Sequence, residues 1–74
     1  MDINEFIEKF AEAIEVEDVA NVTPATVFRE LEEWSSISVM LTIAFFDEEF
    51  EKEIGTAELK SCSTIQDLYN LATA

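Results

Sequence analysis

The stretch Glu32-Glu33-Trp34-Ser35-Ser36-Ile37 is where this chain is best placed to do chemistry. There an irregular acidic stretch gives way to an apolar, helix-periodic one. A serine hydroxyl at a helix N-terminus either caps the helix or serves as an attachment point. The positive end of the helix dipole and the unpaired N–H groups of the first turn favour a phosphate at such a place. Ser36 is accordingly read as the attachment point of a phosphate-linked prosthetic group.

Other reactive residues are few. The chain has no histidine, which removes the commonest general base and metal ligand and leaves a hydrolytic triad without its base. Carboxylates are abundant, but 74 residues offer little room for an enclosed pocket between a catalytic pair. No enzymatic activity is expected. Asp47-Glu48-Glu49 with Glu51 and Glu53 lacks the alternating ligands and turn glycine of an EF-hand loop. It reads as a solvated helix face, with no metal expected. Cys62 is the only cysteine, so no intrachain disulfide forms, and it reads as a small buried hydrophobe rather than a nucleophile. Trp34 is either a binding aromatic or a wedge that closes a loop over the core.

Composition narrows the class further. Seventeen Asp and Glu face four Lys and Arg, for a net charge of −13, which argues against nucleic acid and anionic membranes as partners. An acidic surface suits partners with basic patches, whose opposite field speeds encounter and orients docking. Hydrophobic residues make up 49% of the chain, enough for one small core and a single domain over residues 1–74. The first residues, Met1-Asp2-Ile3-Asn4-Glu5, carry no basic segment of a signal peptide. The longest apolar run, Val39 to Phe46, is interrupted by Thr42 and too short to span a bilayer. The lone cysteine fits a reducing, cytoplasmic setting.

These residues must be positioned by helices. Asp2 with Glu5 resembles a capping box, and Ile3, Phe6, Ile7, Phe10 and Ile14 follow at helical spacing, predicting a helix over about 3–15. Residues 16–35 keep no period, with Asn21, Thr23 and Pro24 marking a break and a short helical turn expected over about 25–32. A loop this long in so small a domain is often functional. The second helix opens at Ser35 or Ser36 and ends near Phe50 or Lys52. Val39, Ile43, Phe46 and Phe50 are expected to face the core, while Ile37, Met40, Leu41 and Ala44 form a second apolar stripe. Ile54-Gly55 is expected to terminate this segment. A short turn over 56–60 follows, and then a last helix opened by Ser63 with Gln66 or by Thr64 with Asp67. The fold class is all-α: a small antiparallel four-helix bundle of three main helices and one short one, with a long first loop.

The ordered set of motifs resembles the acyl carrier protein family over nearly the whole chain. That family opens its second helix with Asp-Ser-Leu, here Ser35-Ser36-Ile37. It then shows an acidic stretch closing on Phe and an Ile before the next turn, here Asp47-Glu48-Glu49-Phe50 and Ile54. Its last helix opens with Thr-aliphatic-Gln, here Thr64-Ile65-Gln66. The resemblance implies that Ser36 carries phosphopantetheine, transferred from coenzyme A by a carrier-protein synthase. It implies a monomer that catalyses nothing, shelters a thioester-linked acyl chain among its helices, and delivers it to acyl-transferring and condensing enzymes with basic docking faces. Met40, Ala44, Ile54 and Ala57 are the small or flexible side chains expected to admit an alkyl chain.

The chain departs from the family pattern in places. Ser35 replaces the motif's Asp, and Trp34 replaces the small residue before it. Ser38 and Leu41 stand where acidic residues are usual early in the second helix. Partner docking is therefore assigned to a mixed surface, with Ile37, Met40 and Leu41 apolar and Asp47, Glu48 and Glu51 acidic. This points to a specialised carrier with an acyl, aminoacyl or polyketide cargo. The rival is an acidic helical adaptor in which Ser36 only caps and the apolar stripe binds one partner by helix packing.

Overall fold

The computed structural model describes all 74 residues. Four α-helices, α1 (Ile3–Ala13), α2 (Ser36–Phe50), α3 (Thr56–Lys60) and α4 (Ile65–Thr73), carry the fold, with 3-10 turns at Val19–Asn21 and Phe28–Glu30. There is no strand; Val27 and Thr64 form one isolated bridge. The all-α class and the four helices agree with the sequence reading.

Asp2 caps α1, its carboxylate accepting the Glu5 N–H at 2.8 Å. The helix stops at Ala13, two residues early, because Glu15 takes a left-handed conformation (φ 61°). The Val16 N–H then reaches back to the Ala11 carbonyl at 2.8 Å, a Schellman closure that lets Val16 bury itself against the core. Phe6 and Phe10, both fully buried, stack at 6.2 Å, and Phe6 meets Phe45, Phe46 and Tyr69 edge-on. Edge-to-face packing of this kind suits the ring quadrupole and adds to the area term.

The long first connection is tied down at several points. Phe28 is fully buried and Trp34 packs edge-on against it at 5.0 Å, half-buried, so the tryptophan acts as a wedge over the loop. Arg29 donates to the Leu59 carbonyl at 2.7 Å and to the Cys62 carbonyl, satisfying the C-terminal end of α3. The Ile65 and Gln66 N–H groups at the start of α4 donate to Thr26 and Pro24 carbonyls at 3.0 and 2.9 Å. Thr64 and Asp67 complete the α4 cap: Thr64 Oγ1 accepts the Asp67 N–H, and the Asp67 carboxylate accepts the Ser63 and Thr64 N–H groups. Those bonds hold the Asp67 carboxyl below its ordinary value of 3.8. The expected helical turn over 25–32 is reduced to Phe28–Glu30, because Val27 is drawn into the bridge to Thr64.

Two expectations for α2 are corrected. Its most buried side chains are Ser38, Thr42, Phe45 and Phe46, whereas Val39, Ile43 and Phe50 pack only at the core's edge. The burial of the two hydroxyls is tolerable because both are bonded, Thr42 Oγ1 donating to the Ser38 carbonyl at 2.8 Å. The helix ends at Glu51 in a left-handed conformation (φ 51°), and Gly55 instead precedes α3 in an extended conformation (φ −109°). At Gly55 the N–H donates to the Glu58 carboxylate at 2.6 Å, opening α3.

Candidate functional site

The start of α2 is built by three serines with different duties. Ser35 is extended (φ −146°, ψ −179°) and occupies the cap position. Ser38, only 2% exposed, turns back toward it: its Oγ accepts the Ser35 N–H at 3.0 Å and donates to the Glu33 carbonyl at 3.2 Å. The Ser35 carbonyl in turn accepts the Ser38 N–H at 3.0 Å. Ser38 thus fills the place that Glu or Gln takes in the usual capping box, three residues after the cap. The serine-x-x-serine spacing was the available sequence signal for this role.

Ser36 is left out of the capping. It is the first helical residue, exposed, and its hydroxyl makes no hydrogen bond. The N–H groups of Ser36 and Ile37 donate to no protein acceptor either, as expected at the first turn of a helix. A free hydroxyl, two free N–H groups and the positive end of a fifteen-residue helix fit a phosphate ester on Ser36 Oγ. No Lys or Arg lies between Glu30 and Phe50, so the helix backbone alone would meet the anion.

Residues at i+4, i+7 and i+11 from Ser36 are Met40, Ile43 and Asp47, which share its face of α2. On this flank Met40, Ile43, Ala44 and Ile54 line a groove of about 510 Å³, with Asp47 and Glu53 at its rim. The groove begins about one turn, or roughly 6 Å, along the helix from Ser36. Of the four residues expected to admit an alkyl chain, Met40, Ala44 and Ile54 are brought together here. Ala57 is exposed on α3 and is not part of the lining; Ile43 takes that part.

The residues assigned to docking form an acidic-apolar ridge. Ile37 is 65% and Met40 70% exposed, unusual for side chains of their size. Asp47, Glu48 and Glu51 are exposed, while Leu41 is half-buried and packs partly on the core. Glu51 is also the residue whose left-handed backbone ends α2. No basic residue of α2 accompanies these carboxylates in its last turn, at the negative end of the helix dipole. They do not converge, and no group of three or more potential ligands gathers anywhere in the fold.

Cys62 is 4% exposed, with its thiol directed at the Glu58 carbonyl at 3.6 Å. Burial pushes its pKa above the usual 9.0. It is therefore a packing residue and lies apart from the Ser36 face. No helix is long and apolar enough to cross a membrane. Comparison of the chain with protein-family models, with curated proteins and with solved structures finds no match.

Proposed function

We propose that this chain is a carrier protein, an antiparallel helical bundle that holds an acyl or related intermediate on a phosphopantetheine arm attached to Ser36. The observation that carries the reading is the division of labour among the serines. The bonds at the start of α2 are made by Ser35 and Ser38 and leave out Ser36, whose exposed hydroxyl heads the helix on the face that carries an apolar groove. When attached, phosphopantetheine supplies a terminal thiol that holds the cargo as a thioester. Ser36 anchors the arm and the first-turn N–H groups meet its phosphate. Met40, Ile43, Ala44 and Ile54 give an alkyl chain a partly dry place beside the anchor. Ile37 and Met40, with Asp47, Glu48 and Glu51, form the face for a carrier-protein synthase and for acyl-transferring and condensing enzymes with basic surfaces. The chain acts in the cytoplasm as a monomer and performs no catalysis.

The test is intact mass after incubation with a carrier-protein synthase and coenzyme A. A gain of one phosphopantetheinyl group is expected. An unchanged mass with synthases of both broad and narrow specificity overturns the reading. It would leave the exposed Ile37 and Met40 as the contact surface of an unmodified adaptor.

A further inference from the structure

The other flank of α2, the one that faces α1, carries a second groove of about 470 Å³. Ala13, Leu41, Ala44 and Phe45 form its floor, and Glu12 and Glu48 stand at its rim. The remaining rim is an ion pair between Lys9 and Glu49, with Nζ and Oε2 3.6 Å apart and both side chains more than a third exposed. We infer that this groove is an interaction surface for a basic amphipathic helix of a partner protein. Such a helix would set an apolar side chain on Leu41 and Phe45 and place Lys or Arg against Glu12 and Glu48.

Charge complementarity identifies the occupant. Three carboxylates surround an apolar floor and only one cation balances them, on a chain of net charge −13. At 3.6 Å the Lys9–Glu49 pair is longer than a charge-assisted hydrogen bond and is open to water, so it holds weakly. Lys9 behaves as an internal stand-in for a partner cation and is easily displaced. A helix is favoured over an extended strand because the fold offers no sheet edge to extend. Leu41 to Glu48 covers about two helical turns, roughly 10 Å, which suits anchors two turns apart on the incoming helix. Ala44 is the one residue common to this groove and the groove on the Ser36 flank, which otherwise have separate linings. The inference therefore does not need Ser36 to be modified.

The experiment uses the unmodified full chain and a synthetic helix with Leu and Lys at helical spacing. Binding is followed by amide NMR shifts and by calorimetry near physiological ionic strength. Shifts should gather at Lys9–Ala13 and Leu41–Glu49. Lys9→Ala should tighten binding about threefold, and Glu12→Lys should weaken it about tenfold, the range of exposed ion pairs gained or reversed. Lys60→Ala, the same change in net charge on α3, should leave affinity unchanged. Equal tightening by Lys9→Ala and Lys60→Ala would mean attraction to the whole acidic body and overturns the inference. So does binding without saturation, or shifts confined to Ile37, Met40 and Asp47.

Discussion

Alanine at Ser35, Ser36 and Ser38 in turn separates attachment from capping. Ser38→Ala removes an acceptor from the Ser35 N–H and a donor from the Glu33 carbonyl, at a side chain 2% exposed. A polar group left buried and unpaired costs about 1–3 kcal/mol, and alanine's better helix propensity returns about 0.5 kcal/mol. The net loss is about 1–2 kcal/mol, a melting temperature about 4–16 °C lower for a domain of this size. Ser36→Ala breaks no hydrogen bond and gains the same propensity term, so its stability should be unchanged or higher by about 0.5 kcal/mol. Ser35→Ala loses only a 3.5 Å contact between hydroxyls and should stay within about 0.5 kcal/mol of the parent. Thermal melts by circular dichroism, paired with intact mass after a carrier-protein synthase reaction, read both properties on the same samples. Only Ser36→Ala should lose the mass gain, and only Ser38→Ala should lose stability. A Ser36→Ala protein melting several degrees low would show that its hydroxyl caps the helix. A mass gain surviving in Ser36→Ala would refute the attachment site.

Met40→Glu should leave the melting temperature within a few degrees of the parent, because the side chain is 70% exposed, yet slow transfer to partner enzymes by removing an apolar contact; unfolding would place the residue in the core instead. Arg29→Ala deletes the bonds to the Leu59 and Cys62 carbonyls and should cost about 2 kcal/mol in urea unfolding, with a larger loss of amide protection in α3 than in α1. Cys62 should react with an aromatic disulfide reagent only on unfolding, so its rate should follow urea concentration through the transition; fast reaction in the native protein would contradict its burial. The Asp67 carboxyl has a depressed folded pKa, so its stabilisation is complete above the ordinary value of 3.8 and is lost as pH falls through the folded value. The melting difference between the parent and Asp67→Asn should thus be present near pH 5 and shrink as pH falls below the ordinary value of 3.8; a difference that does not change on acidification contradicts the cap.

Much of the fold was legible where a single physical pattern decided it. In α1 one apolar face repeats at helical spacing and an Asp caps the start, so both the element and its buried face followed. The same holds for α4, where Thr64 with Asp67 was one of the two caps the sequence offered and Ile65, Leu68 and Ala72 are buried. The ends of helices were less legible, because the residues that take positive φ are Glu15 and Glu51 rather than the one glycine. A left-handed conformation costs a non-glycine residue about 1–2 kcal/mol, so local preference pointed to Gly55 and tertiary closure chose Glu51. A Cβ at Gly55 would approach the Glu58 carboxylate at 3.1 Å, the group that opens α3, which gives the glycine a different reason to be there.

The start of α2 at Ser35 and Ser36 was legible, but the arrangement of the candidate site around it was not, and the reason lies in α2. Its apolar residues fall on every side, so hydrophobic spacing could not say which side is buried. The fold resolves this by burying Ser38 and Thr42 and leaving Ile37 and Met40 in water. Burying an aliphatic or Met side chain is worth about 1.5–3 kcal/mol, a large fraction of what one small core supplies. Stability alone would favour rolling the helix so that these two residues turn inward. Two constraints hold it in place: the bonds of Ser38 to Ser35 and Glu33, and the seating of Phe45 and Phe46 against Phe6. The capping serines therefore fix the rotation of α2 as well as its first residue. That rotation sets Ser36 in solvent at the head of the Met40–Ile54 groove, with the Glu12–Glu48 groove beside it toward α1 and Ala44 common to both. A helix held at some expense of apolar burial, with a free hydroxyl at its head, breaks the agreement between local preference and stability, and the proposed attachment and docking roles rest on that break.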